Sequence, residues 1–402
     1  MAYDLFSPEF KADPFPAFAL MRQECPVYAH HAPDGRIIWY ITRYNDVVTV
    51  LKDDIHFVKN LRQATNAAVN KPATRTLEYR LINENMLFSD PPDHTRLRAL
   101  VNQAFTPRRV EQMQEQVQTI AANLLDKVAD RGEMDVIADY ALPLPVAVIT
   151  QMLGVPTADQ AQVTDWSQAI ISPGSRGLTY SQRKIKIRAF ITYLQQMFAE
   201  RQREPQDDLV TALVQAEEAG EKLNAEELFS MVALLLVTGH ETTVNLIGNG
   251  ALALLLHPKQ LALLQTGVVG WETAVEELLR YDGPVETSTT RWVGKDINFH
   301  GHQMRRGDVV RVVFTSANRD SGQFAHPDEL DFCREENRHL AFGLGIHYCL
   351  GAPLARLEGK VALRTLFGRF PDLGLRVPHH SLPWRSGVLF RGLKRFPISL
   401  GN

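Results

Sequence analysis

The chain is poor in cysteine and carries no strong charge of either sign. Its three cysteines, Cys25, Cys333 and Cys349, are too few and too scattered for a disulfide framework or a zinc knuckle. Lys plus Arg number 43 and Asp plus Glu 46, and the net charge of −3 supplies no basic face for nucleic acid. The stretch Met1 to Pro8 has no basic segment followed by an apolar one, so no signal peptide is expected, and apolar runs such as Met231 to Val237 are too short to cross a bilayer. No internal repeat or low-complexity tract marks a linker. These absences favour a cytoplasmic protein that binds neither nucleic acid nor membrane, and a monomer is expected. What is present is 402 residues with 45% hydrophobic content, enough to bury a large core and to exclude disorder or a fibre.

Periodicity predicts mainly helix with a minor β region. Arg36 to Thr42, after Pro33-Asp34-Gly35, reads as one arm of a hairpin, and Asp46 to Leu51 starts an amphipathic helix. Residues 57 to 88 carry no clean period and form an irregular segment of the kind that often serves as a functional lid. Helical patterns then cover Asp93 to Ala104, Arg109 to Arg131, Arg183 to Arg203, Asp207 to Glu218 and Asn224 to Leu256. After Asp282-Gly283-Pro284 come short β-type runs, Thr287 to Val293, Val309 to Phe314 and Val388 to Leu400, with one more helix from Leu354 to Phe367. The whole chain, 1–402, reads as a single domain.

The sharpest signal is Phe342-Gly343-Leu344-Gly345-Ile346-His347-Tyr348-Cys349-Leu350-Gly351, running into a helix with Leu354, Leu357 and Val361 on its apolar side. A cysteine just ahead of a helix meets orphan N–H groups and the positive end of the helix dipole, which favour a thiolate. Such a thiolate suits a nucleophile or a single axial metal ligand; an isolated cysteine beside a tight turn is more often merely structural. The pattern Phe-x-x-Gly-x-His-x-Cys-x-Gly, filled by Phe342, Gly345, His347, Cys349 and Gly351, resembles the heme-binding loop of the cytochrome P-450 superfamily. That resemblance implies heme b, iron protoporphyrin IX, with Cys349 as its thiolate ligand, the ligation that favours O–O cleavage in this family.

Asn224 followed by Glu227 makes a capping-box-like start for a helix that His257-Pro258 stops, about 50 Å on at roughly 1.5 Å per residue. Its middle, Thr238-Gly239-His240-Glu241-Thr242-Thr243, is a weak patch where Thr side chains compete for i−4 carbonyls, so a local opening is expected there. The patch is similar to the superfamily's acid-Thr pair, implying that Glu241 and Thr242 pass protons during dioxygen activation. Thr238 stands where the family generally has Ala or Gly. His240 is read as a surface or packing residue.

Glu277 and Arg280, at i, i+3, would by themselves be an ordinary surface ion pair. They also match the family's Glu-x-x-Arg motif, a structural pair whose third partner is expected to be Arg334, with Arg338 and His339 as alternatives. The resemblance further implies that His94, Arg98, Arg291 and His347 hold the heme propionates, with Phe342, Gly343 and Gly351 lining the cofactor; charged donors suit a carboxylate in a partly buried site. The pairs His300/His302 and His379/His380 are read as exposed, and Cys25 and Cys333 as inert.

The implied fold is the family's triangular α-rich prism, heme lying under the long helix. The implied reaction is insertion of one atom of dioxygen into a C–H or C=C bond of an apolar small molecule, the overall look being closest to members that tailor polyketides. Electrons would come from a ferredoxin and ferredoxin reductase, docking where Arg96, Arg108, Arg109, Arg356 and Lys360 attract an acidic surface. Substrate contacts are expected from 57 to 88, from 168 to 190, and from Leu234, Val237, Thr238, Val285, Thr287, Val388 and Leu389. The rival functions are a peroxide-driven hydroxylase, an isomerase or dehydratase that consumes no dioxygen, and a non-catalytic heme-thiolate sensor.

Overall fold

The computed structural model describes residues 3–65, 84–171, 179–218 and 220–401. Contacts divide the chain into two compact units, one drawn from Met1–Ala67, Val117–Pro143 and Thr242–Asn402, the other from Ala68–Gln116 and Leu144–Glu241.

The first unit holds the β structure. The expected hairpin arm is the strand Ile37–Ile41, antiparallel to Val27–His31 across the turn at Gly35. A five-stranded sheet follows in the order Val27–His31, Ile37–Ile41, Val309–Val312, Arg291–Val293, Phe57–Val58. Trp39, Ile41, Val310 and Val312 alternate into an apolar cluster with Val47, Val50 and Leu51 of the helix Tyr44–Lys52, as an amphipathic helix on a half-buried sheet requires. Two further helices of this unit, Trp271–Asp282 and Ala352–Arg369, pack together. The second unit is almost wholly helical, built from Asp93–Ala104, Pro107–Gln112, Gln160–Ile171, Tyr180–Arg203 and Leu209–Gln215 with the short ribbon Glu217–Glu218 and Glu221–Lys222.

The long helix runs from Ala225 to Leu256. Its start is a true capping box: the Asn224 side chain accepts from the N–H groups of Glu226 and Glu227 at 3.0 Å, and the Asn224 N–H donates to the Glu227 carboxylate at 3.0 Å. It is long and apolar enough to cross a membrane, yet 67% of its most apolar stretch is buried inside the protein, which marks a core helix. The expected opening at Thr238 does not occur. The helix is continuous, and the competing side chains bond its carbonyls without displacing them: Thr238 Oγ1 donates to Leu234 O and His240 Nδ1 to Leu236 O, both at 2.7 Å. Packing along the buried faces outweighs the roughly 1 kcal/mol that Gly239 costs.

Other boundaries shift for local reasons. The expected helix from Arg109 to Arg131 breaks at Met113 into Pro107–Gln112 and Gln114–Asp126, ending in a 3-10 turn, and the Asp207 to Glu218 helix stops at Gln215 so that Glu217 can pair with Lys222. In the Thr287 to Val293 run only Arg291–Val293 is ladder strand, while Val285 and Thr287 make isolated bridges. Of the irregular segment 57 to 88, residues 66–83 lie outside the described residues, as do 172–178 of the 168 to 190 region. The flanks of the first are ordered as Phe57–Val58, the helix Leu61–Ala64 and the 3-10 turn Met86–Phe88.

Candidate heme-thiolate site

Cys349 sits where the loop turns into the helix Ala352–Arg369. Its N–H donates to Phe342 O at 2.9 Å, closing the loop on itself, and Ala355 N–H donates to Gly351 O at 2.9 Å as the helix begins. Gly343 and Gly345 adopt φ of +69° and +76°, in the left-handed region. At Gly345 a side chain is also excluded by space, because a Cβ would stand 2.5 Å from Leu51 O of the helix Tyr44–Lys52. The loop is thereby pressed onto that helix, and the thiol is left half-buried at the dipole's positive end. Behind it, Gly359 lets the long helix come close: a Cβ there would lie 2.8 Å from Leu246 Cδ2.

The donor set fits a metal that arrives inside a macrocycle. Among the described residues no three His, Cys, Asp or Glu side chains gather to hold an ion, so the loop offers one soft sulfur donor and no more. That is the demand of heme, whose four equatorial positions are already filled. The residues that would flank it, Phe342, Leu344, Ile346 and Leu350, are apolar and half-exposed.

The Glu277–Arg280 pair is no surface pair. Both residues are 1% exposed, and the guanidinium grips the carboxylate through Nε at 2.7 Å and Nη2 at 2.8 Å. Arg280 also donates to the carbonyls of Asn318, Pro327 and Glu329. Arg334 supplies the third partner, its Nε 3.2 Å from Glu277 Oε2, and the carboxylate accepts as well from Asn337 Nδ2 and the Asp331 N–H. Of the alternatives, the carbonyl of Arg338 is taken by Tyr44, and His339 turns to Glu276. Asn337 and Asp331 carried no signal in the sequence.

The long helix is buried from Leu228 to Leu254 except at six positions: Leu234, Val237, Thr238, Gly239, Glu241 and Thr242. Five of these are the residues the sequence singled out, and their i, i+3, i+4, i+7, i+8 spacing makes one stripe. Thr238 is the most open, but its hydroxyl is spent on Leu234 O, so it presents chiefly its methyl. In the first unit Val285, Thr287, Val388 and Leu389 are brought together: Thr287 Oγ1 donates to Val388 O at 2.8 Å, Glu286 N–H to Leu389 O at 2.9 Å, and Val285 bridges Phe390.

Among the candidate propionate holders, Arg291 is 3% exposed on its strand and donates through Nη1 to Phe57 O, and His347 closes the 3-10 turn Gly345–His347 two residues before the thiol. In the second unit His94 is 3% exposed on the helix Asp93–Ala104, and burial, aided by the Arg98 charge, pushes its pKa down. The cations expected to attract an acidic partner are mostly committed already: Arg96 to Glu227 and Glu221, Arg109 to Asp207, Arg356 to Glu276 and Lys360 to Glu272. Counting basic residues overstates the field they offer outward.

Glu358 is a further buried acid, not among the residues singled out from the sequence. It is 0% exposed on the helix Ala352–Arg369, among the described residues no donor other than the Thr243 hydroxyl comes near its carboxyl, and burial drives its pKa up to about 8 against the weaker lowering by that hydroxyl. A signal existed, since an acid at 358 falls on the apolar stripe of Leu354, Leu357 and Val361.

Comparison with known proteins agrees with this geometry. The family model "Cytochrome P450" matches residues 21–268 and 271–376. The polyketide biosynthesis cytochrome P450 PksS of Bacillus subtilis is 41% identical over 98% of this chain and 97% of its own, and the cytochrome P450 monooxygenase PikC of Streptomyces venezuelae is 41% identical over 97% and 92%. The solved PksS structure superposes with a TM-score of 0.92 at 40% identity and complete coverage of both chains. With a single thiol on a glycine-turned loop, a buried Glu-x-x-Arg lock behind it, and likeness along nearly its whole length, this chain belongs to the cytochrome P450 family of heme-binding monooxygenases.

Proposed function

We propose that the protein hydroxylates or epoxidises an apolar small molecule of the polyketide or related secondary-metabolite class, using Cys349 as the heme ligand. The observation that carries this reading is the placement of the Cys349 thiol, half-buried ahead of the helix Ala352–Arg369 with its N–H tied to Phe342 O. The names of PksS and PikC support the enzyme class, and the first of them supports the substrate class. Heme, when bound, supplies the dioxygen chemistry that places one oxygen atom in a C–H or C=C bond and releases the other as water.

The remaining roles fall to the chain. The positive end of the helix Ala352–Arg369, just beyond Cys349, favours the anionic form of the sulfur. Arg291 and His347 would hold heme propionates by charge-assisted bonds, and the family resemblance assigns His94 and Arg98 the same task. Thr242 holds a proton at Oγ1, and the neighbouring Glu241 carboxyl renews it from solvent, as a relay with i, i+1 spacing on a half-exposed stripe permits. Leu234, Val237 and the Thr238 methyl on the long helix offer apolar surface to the substrate, and so, in the first unit, do Val285, Val388 and Leu389. Thr287, its hydroxyl bonded to Val388 O, holds those last two segments together. Electrons come from a ferredoxin and its reductase; since Arg96, Arg109, Arg356 and Lys360 are already paired, their docking is less salt-dependent than the basic residue count implies.

The test is Cys349→Ser. The red-shifted Soret band of the reduced, carbon-monoxide-bound protein is expected to vanish with it, and an unchanged band would remove Cys349 as the ligand.

A further inference from the structure

One residue before the buried Glu277, Glu276 occupies a separate cluster that ends on the thiol-bearing loop. Its carboxylate accepts from Arg356 Nε at 2.6 Å and Nη2 at 2.9 Å, a two-point grip. It also accepts from His339 Nε2 at 3.1 Å. The tautomer of His339 is fixed by its other nitrogen, which accepts from the Ala341 N–H at 3.2 Å and leaves the proton on Nε2.

Held this way, Arg356 faces the loop. Its guanidinium lies 4.5 Å from the centre of the Phe342 ring, and Nη1 donates to Tyr348 Oη at 3.3 Å. Phe342 is the residue whose carbonyl takes the Cys349 N–H, and Tyr348 precedes Cys349 directly. Phe342 also packs against Leu246, Val275 and Leu279. The cation therefore stands between Glu276 and the two residues that bracket the thiol, with Glu276 behind it. Burial alone would raise the Glu276 pKa, but Arg356 and His339 outweigh it and hold the carboxyl at about 2, so the anion persists at every working pH.

We infer that Glu276 and Arg356 form a balanced charge pair that positions the Cys349 loop and sets how electron-rich its thiolate is. Glu276 acts through Arg356 and is a positioning residue. The inference rests on the reading of Cys349 as the heme ligand. Its physical content is a sign rule. Removing the Glu276 charge leaves an uncompensated cation against the loop, which withdraws electron density and favours the reduced iron. Removing the Arg356 charge leaves an uncompensated anion, which does the opposite.

The experiment measures the midpoint potential of the heme-loaded protein. Glu276→Gln should shift it positive, Arg356→Gln should shift it negative, and the double variant should return close to the parent. Glu272→Gln is the control, since Glu272 pairs with Lys360 between the same two helices, one turn from Glu276, but is mostly exposed. Loop damage without an electrostatic role would move both single variants in one direction, and that result overturns the inference; so does a shift in neither beyond that of Glu272→Gln. Should Glu276→Gln fail to take up heme, Arg356→Gln decides alone, a positive shift or none counting against us. The ligand reading is checked separately by the Cys349→Ser spectrum: if that spectrum behaves as expected while the potentials do not, only the charge-pair inference fails.

Discussion

Glu277 and Glu358 lie on two helices that pack together, each at most 1% exposed, and they meet opposite electrostatic conditions. Glu277 is ringed by Arg280, Arg334, Asn337 and a backbone N–H, so its charge is matched bond for bond. Glu358 meets, among the described residues, no donor beyond the Thr243 hydroxyl, and burial raises its pKa to about 8. Equal burial thus goes with an ion-paired anchor in one case and a largely neutral acid at pH 7 in the other. Donors, and not depth, decide which.

The largest expected effect comes from breaking the matched side. Glu277→Gln strands two buried guanidinium groups, and the loss should be about 3–5 kcal/mol, read as a fall in thermal midpoint and in heme content. A change no larger than that of a surface substitution would mean Arg280 and Arg334 find other acceptors.

Glu358→Gln sharpens the other side and should stabilise the protein. A carboxyl whose folded pKa lies above its unfolded value keeps the folded state's proton longer, so stability is highest below the unfolded pKa of about 4.5 and falls as pH rises toward 8. Glutamine cannot ionise and escapes this fall. Its advantage should be near zero below about pH 4.5, reach on the order of 3 kcal/mol at pH 7, and level off above about pH 8. Denaturant unfolding across that range checks it, and parallel pH curves for the two proteins would refute it. The smallest effect belongs to Thr243→Val. Losing the hydroxyl that lowers the Glu358 pKa should cost roughly 0.5–1 kcal/mol at alkaline pH and displace the midpoint of the pH curve upward.

The local features of the site were open to reading in the chain itself. The thiol loop, the capping box at Asn224, the stripe Leu234-Val237-Thr238-Glu241-Thr242 and the Glu277/Arg280 spacing are all set within a dozen residues, where periodicity and turn chemistry act. Arg334 as third partner, 54 to 57 residues from that pair, came from the resemblance. No opening occurs at Thr238, because packing along the buried faces, which propensity does not contain, keeps the helix continuous. Glu276 gave no hint, since its partner Arg356 is 80 residues away and nothing local distinguishes it from its neighbour Glu277.

The sequence by itself determined the family, the cofactor and the residue types at the centre, because a thiolate loop and a helix pattern are encoded by neighbours along the backbone. Tertiary structure alone decided the charge state and partners of each buried group. Glu276, Glu277 and Glu358 are one residue type within two helices, yet the first two are ion-paired and the third is not, because the fold delivers cationic donors from distant segments to two of them and only removes water from the third.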